Sequence, residues 1–259
     1  MSQSSVSERI GKQLDHIEQQ YQVRILYACE SGSRAWGFAS PDSDYDVRFI
    51  YTHKLDWYLS VFPGKDVIEQ PISDELDFHG WELRKALSLL HKGNATLIEW
   101  LNSPIIYRQN DRFMQDFKQL LAVSYQPEKA FFHYYHMAKT HLQKYLQGES
   151  INYKKYLYAL RPLLAANYIQ STGKMAPMDF ETLVSLTVFD PIVLSSISDL
   201  IAHKRQAHEK MMGSKDVVLH DFLVGTIDAL AQISLASNEV DVTLLDAFLH
   251  QTITQSLKA

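Results

Sequence analysis

The chain has 259 residues, of which 46% are hydrophobic, 21% charged and 12% aromatic, with a formal net charge of −5. A chain of this length buries roughly three quarters of the surface its unfolded form exposes, and the composition excludes a disordered chain. The acidic balance argues against broad electrostatic coating of nucleic acid and leaves open a local basic cleft for phosphates.

Residues 6–21 place Val6, Ile10, Leu14 and Ile17 at helical spacing, which predicts an amphipathic helix. The segment carries no apolar core of the signal-peptide kind, and no window approaches a membrane span, so a soluble cytoplasmic protein is expected. "VRILYAC" (23–29) reads as a buried strand that ends in the single cysteine, Cys29. One cysteine excludes an intrachain disulfide and a cysteine-rich zinc site, and it points to a reducing compartment. Cys29 is expected to fill a strand position rather than to react.

The stretch "ESGSRAWGFASPDSDYDVRFIY" (30–51) follows, with Asp42, Asp44 and Asp46 set just before an alternating run. Residues 43–52 have strand periodicity, with Tyr45, Val47, Phe49 and Tyr51 on one side and Asp44, Asp46, Arg48 and Ile50 on the other. Residues 74–81 alternate again, with Glu75, Asp77 and His79 opposite Leu76 and Phe78. A helix over "WELRKALSLLHK" stops near Gly93 and Asn94. Beyond about residue 108 helical patterns take over, at roughly 110–122, 128–147, 152–171, 191–212, 217–236 and 241–252. The expectation is an α+β chain: a mixed sheet-and-helix part over 1–107, its boundary near Tyr107, and an all-helical part over 108–259. No repeat or low-complexity linker is visible.

Residues two apart on a strand point the same way, so Asp44 and Asp46 are expected to project their carboxylates together. Two such anions repel unless a cation compensates, and Mg²⁺ (or Mn²⁺) favours oxygen ligands shared with substrate phosphates. Asp77 supplies a third carboxylate from another strand, enough for two metals, one at the attacking hydroxyl and one at a leaving pyrophosphate. Glu75 shares the face of Asp77, so the two are alternatives for that place. Upstream, Gly32 lets the backbone approach an anion, Ser33 is expected to cap a short helix with N–H groups aimed at phosphate, and Arg34 adds a charged fork.

The ordered set Gly32-Ser33, ten residues, Asp44-Tyr45-Asp46 and then Asp77 resembles the DNA polymerase beta-like nucleotidyltransferase superfamily. The wording of "SGSRAWGFASPDSDYDVRFIY", "DFHGWELRKALSLLHKGNATLIEWLNSPIIY" and "NYKKYLYALRPLLAANYI" is similar to the predicted nucleotidyltransferase family that includes the bacterial YcgL proteins and the RlaP proteins of RNA-ligase-associated repair operons. The resemblance implies a minimal nucleotidyltransferase core with a helical substrate-side part and Mg²⁺-dependent transfer of NMP from an NTP such as ATP. It implies that Gly32 and Ser33 hold the triphosphate and that Asp44 and Asp46 bind metal. Asp77 would complete the metal site or act as base, and an RNA end is the favoured acceptor.

Each of these readings has a plainer counterpart. Asp44 and Asp46 are also compatible with a solvated edge strand salt-bridged to Arg48, and Arg34 and Arg48 with simple neutralisation of aspartates. Lys154, Tyr158 and Arg161 stand at i, i+4 and i+7, a helix face that either meets a nucleotide in a cleft or is solvated. Pro162 is expected to distort or restart that helix. Lys85 is read mainly as solvated, Asn94 and Glu99 as structural or supporting, and His133 with His136 as an aromatic face rather than a metal pair. The competing functions are nucleotidylation of an aminoglycoside-like small molecule or of a protein, and a non-catalytic nucleotide-binding module.

Overall fold

Residues 3–62, 64–73, 75–206, 212–236 and 239–256 are described by a computed structural model. These residues fall into two compact units, one within residues 1–35, 44–125 and 239–259, the other within residues 36–43 and 126–238.

The first unit opens with α1 (Gln3–Tyr21), whose Ile10, Leu14 and Ile17 are fully buried. There follow β1 (Arg24–Glu30), the single turn α2 (Gly32–Ala35), β2 (Tyr45–Thr52), α3 (Leu55–Tyr58), β3 (Val67–Glu69) and β4 (Leu76–Glu82). After them come α4 (Leu83–His91), α5 (Ala95–Leu101), β5 (Ile106–Gln109) and α6 (Asp111–Ser124). The strands make one mixed sheet in the order β3-β4-β2-β1-β5, in which only β2 and β4 pair in parallel.

The alternation read in the sequence builds the core directly. Val47, Phe49 and Tyr51 of β2 and Leu76 and Phe78 of β4 face α1 in one apolar cluster. On the other face Trp81 stacks on Trp100 of α5, with ring centroids 3.7 Å apart. Gly80 marks where β4 passes Phe49: a Cβ there would lie 2.1 Å from the Phe49 ring. Gly80→Ala is therefore expected to destabilise by roughly 1–3 kcal/mol and to lower Tm by about 2–10 °C in a melting experiment. An unchanged Tm would contradict this packing.

The second unit contains α7 (Pro127–Tyr145), β6 (Ser150–Asn152), α8 (Tyr153–Thr172), α9 (Phe180–Thr187), α10 (Pro191–Gln206), β7 (Met212–Ser214) and α11 (Val217–Leu230). Asn152 caps α8 by accepting from the Lys154 N–H, and Gly173 closes it at φ 67°. Pro162 lies inside α8, which runs through it without a break, against the sequence expectation. Leu157, Leu160, Leu163 and Leu164 are fully buried around it, and that packing outweighs the hydrogen bond a proline removes. The last helix, α12 (Val242–Ser256), belongs to the first unit, where Phe248 packs on Phe113 and Phe117 of α6. The division is thus discontinuous and differs from a single boundary near Tyr107. The helix expected over 191–212 ends at Gln206; residues 207–211 lie outside the described part, and Met212 begins β7. Among the described residues no helix is long and apolar enough to cross a membrane.

Candidate active site

The polar end of the sheet is built where β1 stops and β2 and β4 begin. Because β2 and β4 are parallel and Asp46 pairs in register with Asp77, their carboxylates stand on neighbouring strands at one level. Arg48, two residues along the same face, bridges them: its Nη2 donates to Asp46 Oδ1 at 2.7 Å and to Asp77 Oδ2 at 2.8 Å, and Nη1 donates to the Asp77 carbonyl at 3.1 Å. One nitrogen reaching both carboxylates shows that a single cationic centre can serve the pair.

The Gly-Ser turn packs against this pair. Ser31 N–H donates to the Asp46 carbonyl at 2.9 Å. Gly32 has φ +62°, and a Cβ on it would lie 2.2 Å from Asp46 Oδ2. Glycine is needed twice over, for the left-handed backbone and for the carboxylate lying against it. Ser33 is the second residue of α2 and is buried, so it does not stand in the capping position expected of it. Arg34 donates from Nε to the Asp44 carbonyl at 3.1 Å and lies 3.7 Å over the Tyr45 ring.

Asp44 is exposed and one residue ahead of β2. The structure brings Asp46 and Asp77 together and does not gather Asp44 with them: among the described residues no group of three or more His, Cys, Asp or Glu is arranged for a metal. Two hard oxygen donors already satisfied by one cation fit a divalent ion in kind. Glu75, the alternative to Asp77, lies outside β4 at φ 66° and is exposed, so Asp77 is the carboxylate that shares the level of Asp46.

Sequence reasoning missed Glu30. It ends β1 fully buried, accepts the Asp46 N–H at 2.6 Å through Oε1, and accepts the Tyr107 hydroxyl through Oε2. Burial pushes its carboxyl up to about 7 against the opposing pull of those two hydrogen bonds, while the neighbouring Asp46 charge adds to the rise. Burial and then the Glu30 charge likewise raise the Tyr107 phenol. The only signal in the sequence was an acid closing an otherwise apolar strand. His79, facing Arg48 across the ladder and paired with Glu69 at 3.0 Å, is held below the usual histidine range first by burial and then by Arg48.

Lys85 pairs with Asp66 at 3.3 Å, and Asn94 caps α5 by accepting from Leu97 N–H. Glu99 is buried, and His136 is exposed beside Phe132. Cys29 is buried, and burial pushes its thiol up to about 12. The native protein is expected to resist a thiol reagent such as DTNB until it unfolds; stoichiometric labelling within minutes under native conditions would contradict that burial.

In the second unit, Lys154 and Tyr158 are half-buried, with the ammonium 5.4 Å from the Tyr158 ring. Arg161 corrects the expectation of an outward-facing side chain. It is 1% exposed, 4.5 Å from the Trp36 ring and 6.0 Å from that of Tyr134. The helix buries nearly its whole circumference, so helical spacing alone does not expose that face. Trp36 belongs to the loop 36–43, which joins the Gly-Ser turn to the aspartates yet packs within the helical unit. Lys204 donates to Ser40 and Arg205 to the Gly37 carbonyl in the same loop.

Comparison with known proteins agrees with what these residues imply. The uncharacterized protein YcgL of Bacillus subtilis (strain 168) is 42% identical over 240 residues, which is 92% of each chain. A solved nucleotidyltransferase-like protein from Exiguobacterium sibiricum 255-15 aligns over 93% of this chain and 78% of its own, at 10% identity and a TM-score of 0.29, too distant to bear on the fold. The profile of RlaP, the RNA repair pathway DNA polymerase beta family, matches residues 6–251, a span that takes in the Gly32 turn, Asp46, Arg48 and Asp77 together. With that match across nearly its whole length, the chain belongs to the RlaP RNA repair pathway DNA polymerase beta family.

Proposed function

We propose that the protein transfers a nucleoside monophosphate from an NTP to a hydroxyl at an RNA end, with release of pyrophosphate. The observation that carries this reading is the pair Asp46 and Asp77, set at one level on parallel strands, bridged by one guanidinium nitrogen and abutting a turn with room only for glycine. The acceptor rests on the family to which the chain belongs.

Mg²⁺ or Mn²⁺ would be held by Asp46 and Asp77, with Asp44 as the exposed third donor, and when bound it supplies charge neutralisation at the triphosphate and acidifies the acceptor hydroxyl. The chain's own groups do the positioning, which is most of the catalysis in phosphoryl transfer. Gly32 and Ser33 bring the backbone of α2 to the triphosphate. Arg34 and Arg48 lend positive charge to phosphate oxygens, and Arg48 offsets the repulsion between the two carboxylates until substrate arrives. The acceptor oxygen bonds to the α-phosphorus, the bond from that phosphorus to the bridging oxygen breaks, and the hydroxyl proton passes to Asp77 or to solvent. Lys154 and Tyr158 on α8 are assigned to RNA contact, by charge and by stacking on a base. Arg161, buried on Trp36, is assigned to holding the loop rather than to phosphate.

The test offers each of the four α-³²P-labelled NTPs with Mg²⁺ to single-stranded RNA of defined ends, to an aminoglycoside and to the protein alone, with Asp44→Ala as control. Label is expected on RNA, accompanied by pyrophosphate and reduced at least tenfold in the control, which loses one donor oxygen of the set. Label on the drug or the protein in place of RNA would replace the acceptor. No label anywhere, with a Tm that still rises on adding NTP and Mg²⁺, would leave a nucleotide-binding module and overturn the enzyme.

A further inference from the structure

Glu30 raises a question that packing does not answer. β1 is apolar from Ile25 to Cys29, and an apolar residue at its last position would extend the same core. A fully buried carboxylate is instead retained there, which is unfavourable unless its oxygens are hydrogen-bonded. Both are bonded. Oε1 accepts the Asp46 N–H at 2.6 Å and Oε2 accepts the Tyr107 hydroxyl. Its main chain is fixed as well, with the N–H on the Ile105 carbonyl at 2.9 Å and the carbonyl accepting Ser103 Oγ at 2.6 Å.

The effect of this arrangement falls on Asp46. The ladder between β1 and β2 ends at the pair Glu30 and Val47, so Asp46, which precedes Val47 on β2, has no partner on β1. The Glu30 side chain takes the place of the missing carbonyl at Asp46 N–H, while Ser31 N–H takes the Asp46 carbonyl at 2.9 Å. The Asp46 peptide is thereby tied at both ends, and its carboxylate lies between the Gly32 turn and Arg48. Tyr107, reaching from β5 on the far side of β1, keeps Glu30 from turning away.

We propose that Glu30, braced by Tyr107, is a positioning residue that sets the Asp46 carboxylate for the divalent metal of this site. The proposal rests on the metal-dependent reading given above. Supporting hydrogen bonds of this type typically contribute 10–100-fold to metal affinity. The glutamate acts through the Asp46 backbone and touches neither metal nor substrate.

Mn²⁺ serves as the probe, with free ion followed by electron paramagnetic resonance in titrations of the full chain, and Tm is measured on every sample. Glu30→Ala is expected to weaken Mn²⁺ binding by about 10–100-fold. Glu30→Gln, which keeps an oxygen to accept the Asp46 N–H, is expected to recover most of that loss, and Tyr107→Phe to lose a few-fold. Glu82→Gln is the structural control: that glutamate is equally buried in the same unit but accepts from Arg84 N–H and Tyr58 at the start of α4. Its Mn²⁺ affinity is expected to stay within twofold even if its Tm falls. A folded Glu30→Ala protein that binds Mn²⁺ as tightly as the wild type overturns the proposal. If Glu30→Ala fails to fold, equal affinities in wild type, Glu30→Gln and Tyr107→Phe overturn it instead. A wild-type chain that binds no Mn²⁺, alone or with an NTP, overturns the metal reading itself and this proposal with it, a result distinct from the other two.

Discussion

An Asp46→Asn protein is expected to fold normally and to lose nucleotidyl transfer by roughly a thousandfold. Its fold should survive because the anchors of residue 46 are in its main chain: Glu30 accepts its N–H and Ser31 donates to its carbonyl, and neither bond involves the carboxylate. Asparagine also keeps the shape that rests against Gly32, and Arg48 keeps Asp77 as an ion-pair partner at 2.8 Å. What disappears is one of the charged oxygen donors at the site. The charge stabilisation they support in the transition state is worth several kcal/mol, and about 4 kcal/mol corresponds to a factor of roughly 10³ in rate. Single-turnover transfer of label from an α-³²P NTP, read beside a melting curve, checks both halves. A tenfold loss or less in a folded Asp46→Asn protein would remove Asp46 from the reaction.

Gly32→Ala should have the second largest effect, and through geometry alone. The added methyl would sit 2.2 Å from Asp46 Oδ2, well inside contact distance, at a backbone φ of +62° that alanine tolerates poorly. The backbone penalty is about 1–2 kcal/mol in stability, a drop of a few degrees in Tm. The functional penalty is larger, because the carboxylate, the turn or both must shift by about an ångström, and a displacement of that size costs on the order of 10²-fold in rate. A variant that melts slightly lower yet transfers label at the wild-type rate would mean that the close approach of turn and carboxylate is not needed for the chemistry.

The parts of this site carried by local pattern were legible before the fold. The alternation of the second strand put Asp46 and Arg48 on one side, because strand periodicity dictates which side chains of a strand share a side, whereas Asp44 falls just ahead of β2 and Asp77 joins the pair only through the parallel pairing of β2 with β4. The same periodicity left Glu75 and Asp77 as alternatives, and the positive φ of Glu75, a backbone feature that alternation does not encode, removes it from the strand. Glu30 was invisible because its partners come from elsewhere. Tyr107 is 77 residues away on a four-residue edge strand too short to announce itself, and the Asp46 group it binds is a main-chain N–H. Arg161 misled for a different reason: helical spacing identifies faces but not which are covered, and α8 is covered nearly all round. The division into units was equally hidden, since α12 joins the first unit through Phe248, more than 100 residues from Phe113 and Phe117. The α+β class survived these omissions because it rests on the long, strongly periodic elements, which packing reinforced.

Whether Asp46 and Asp77 hold the metal beside the triphosphate can be read crystallographically. Crystals grown with Mn²⁺ and a non-hydrolysable α,β-methylene nucleotide would be measured at a wavelength where manganese scatters anomalously. Expected is an anomalous peak bonded to Asp46 and Asp77, with the triphosphate against the Gly32 turn and Arg48 Nη2 no longer bridging the two carboxylates. Nucleotide and manganese bound elsewhere, with Arg48 still joining Asp46 to Asp77, would contradict it.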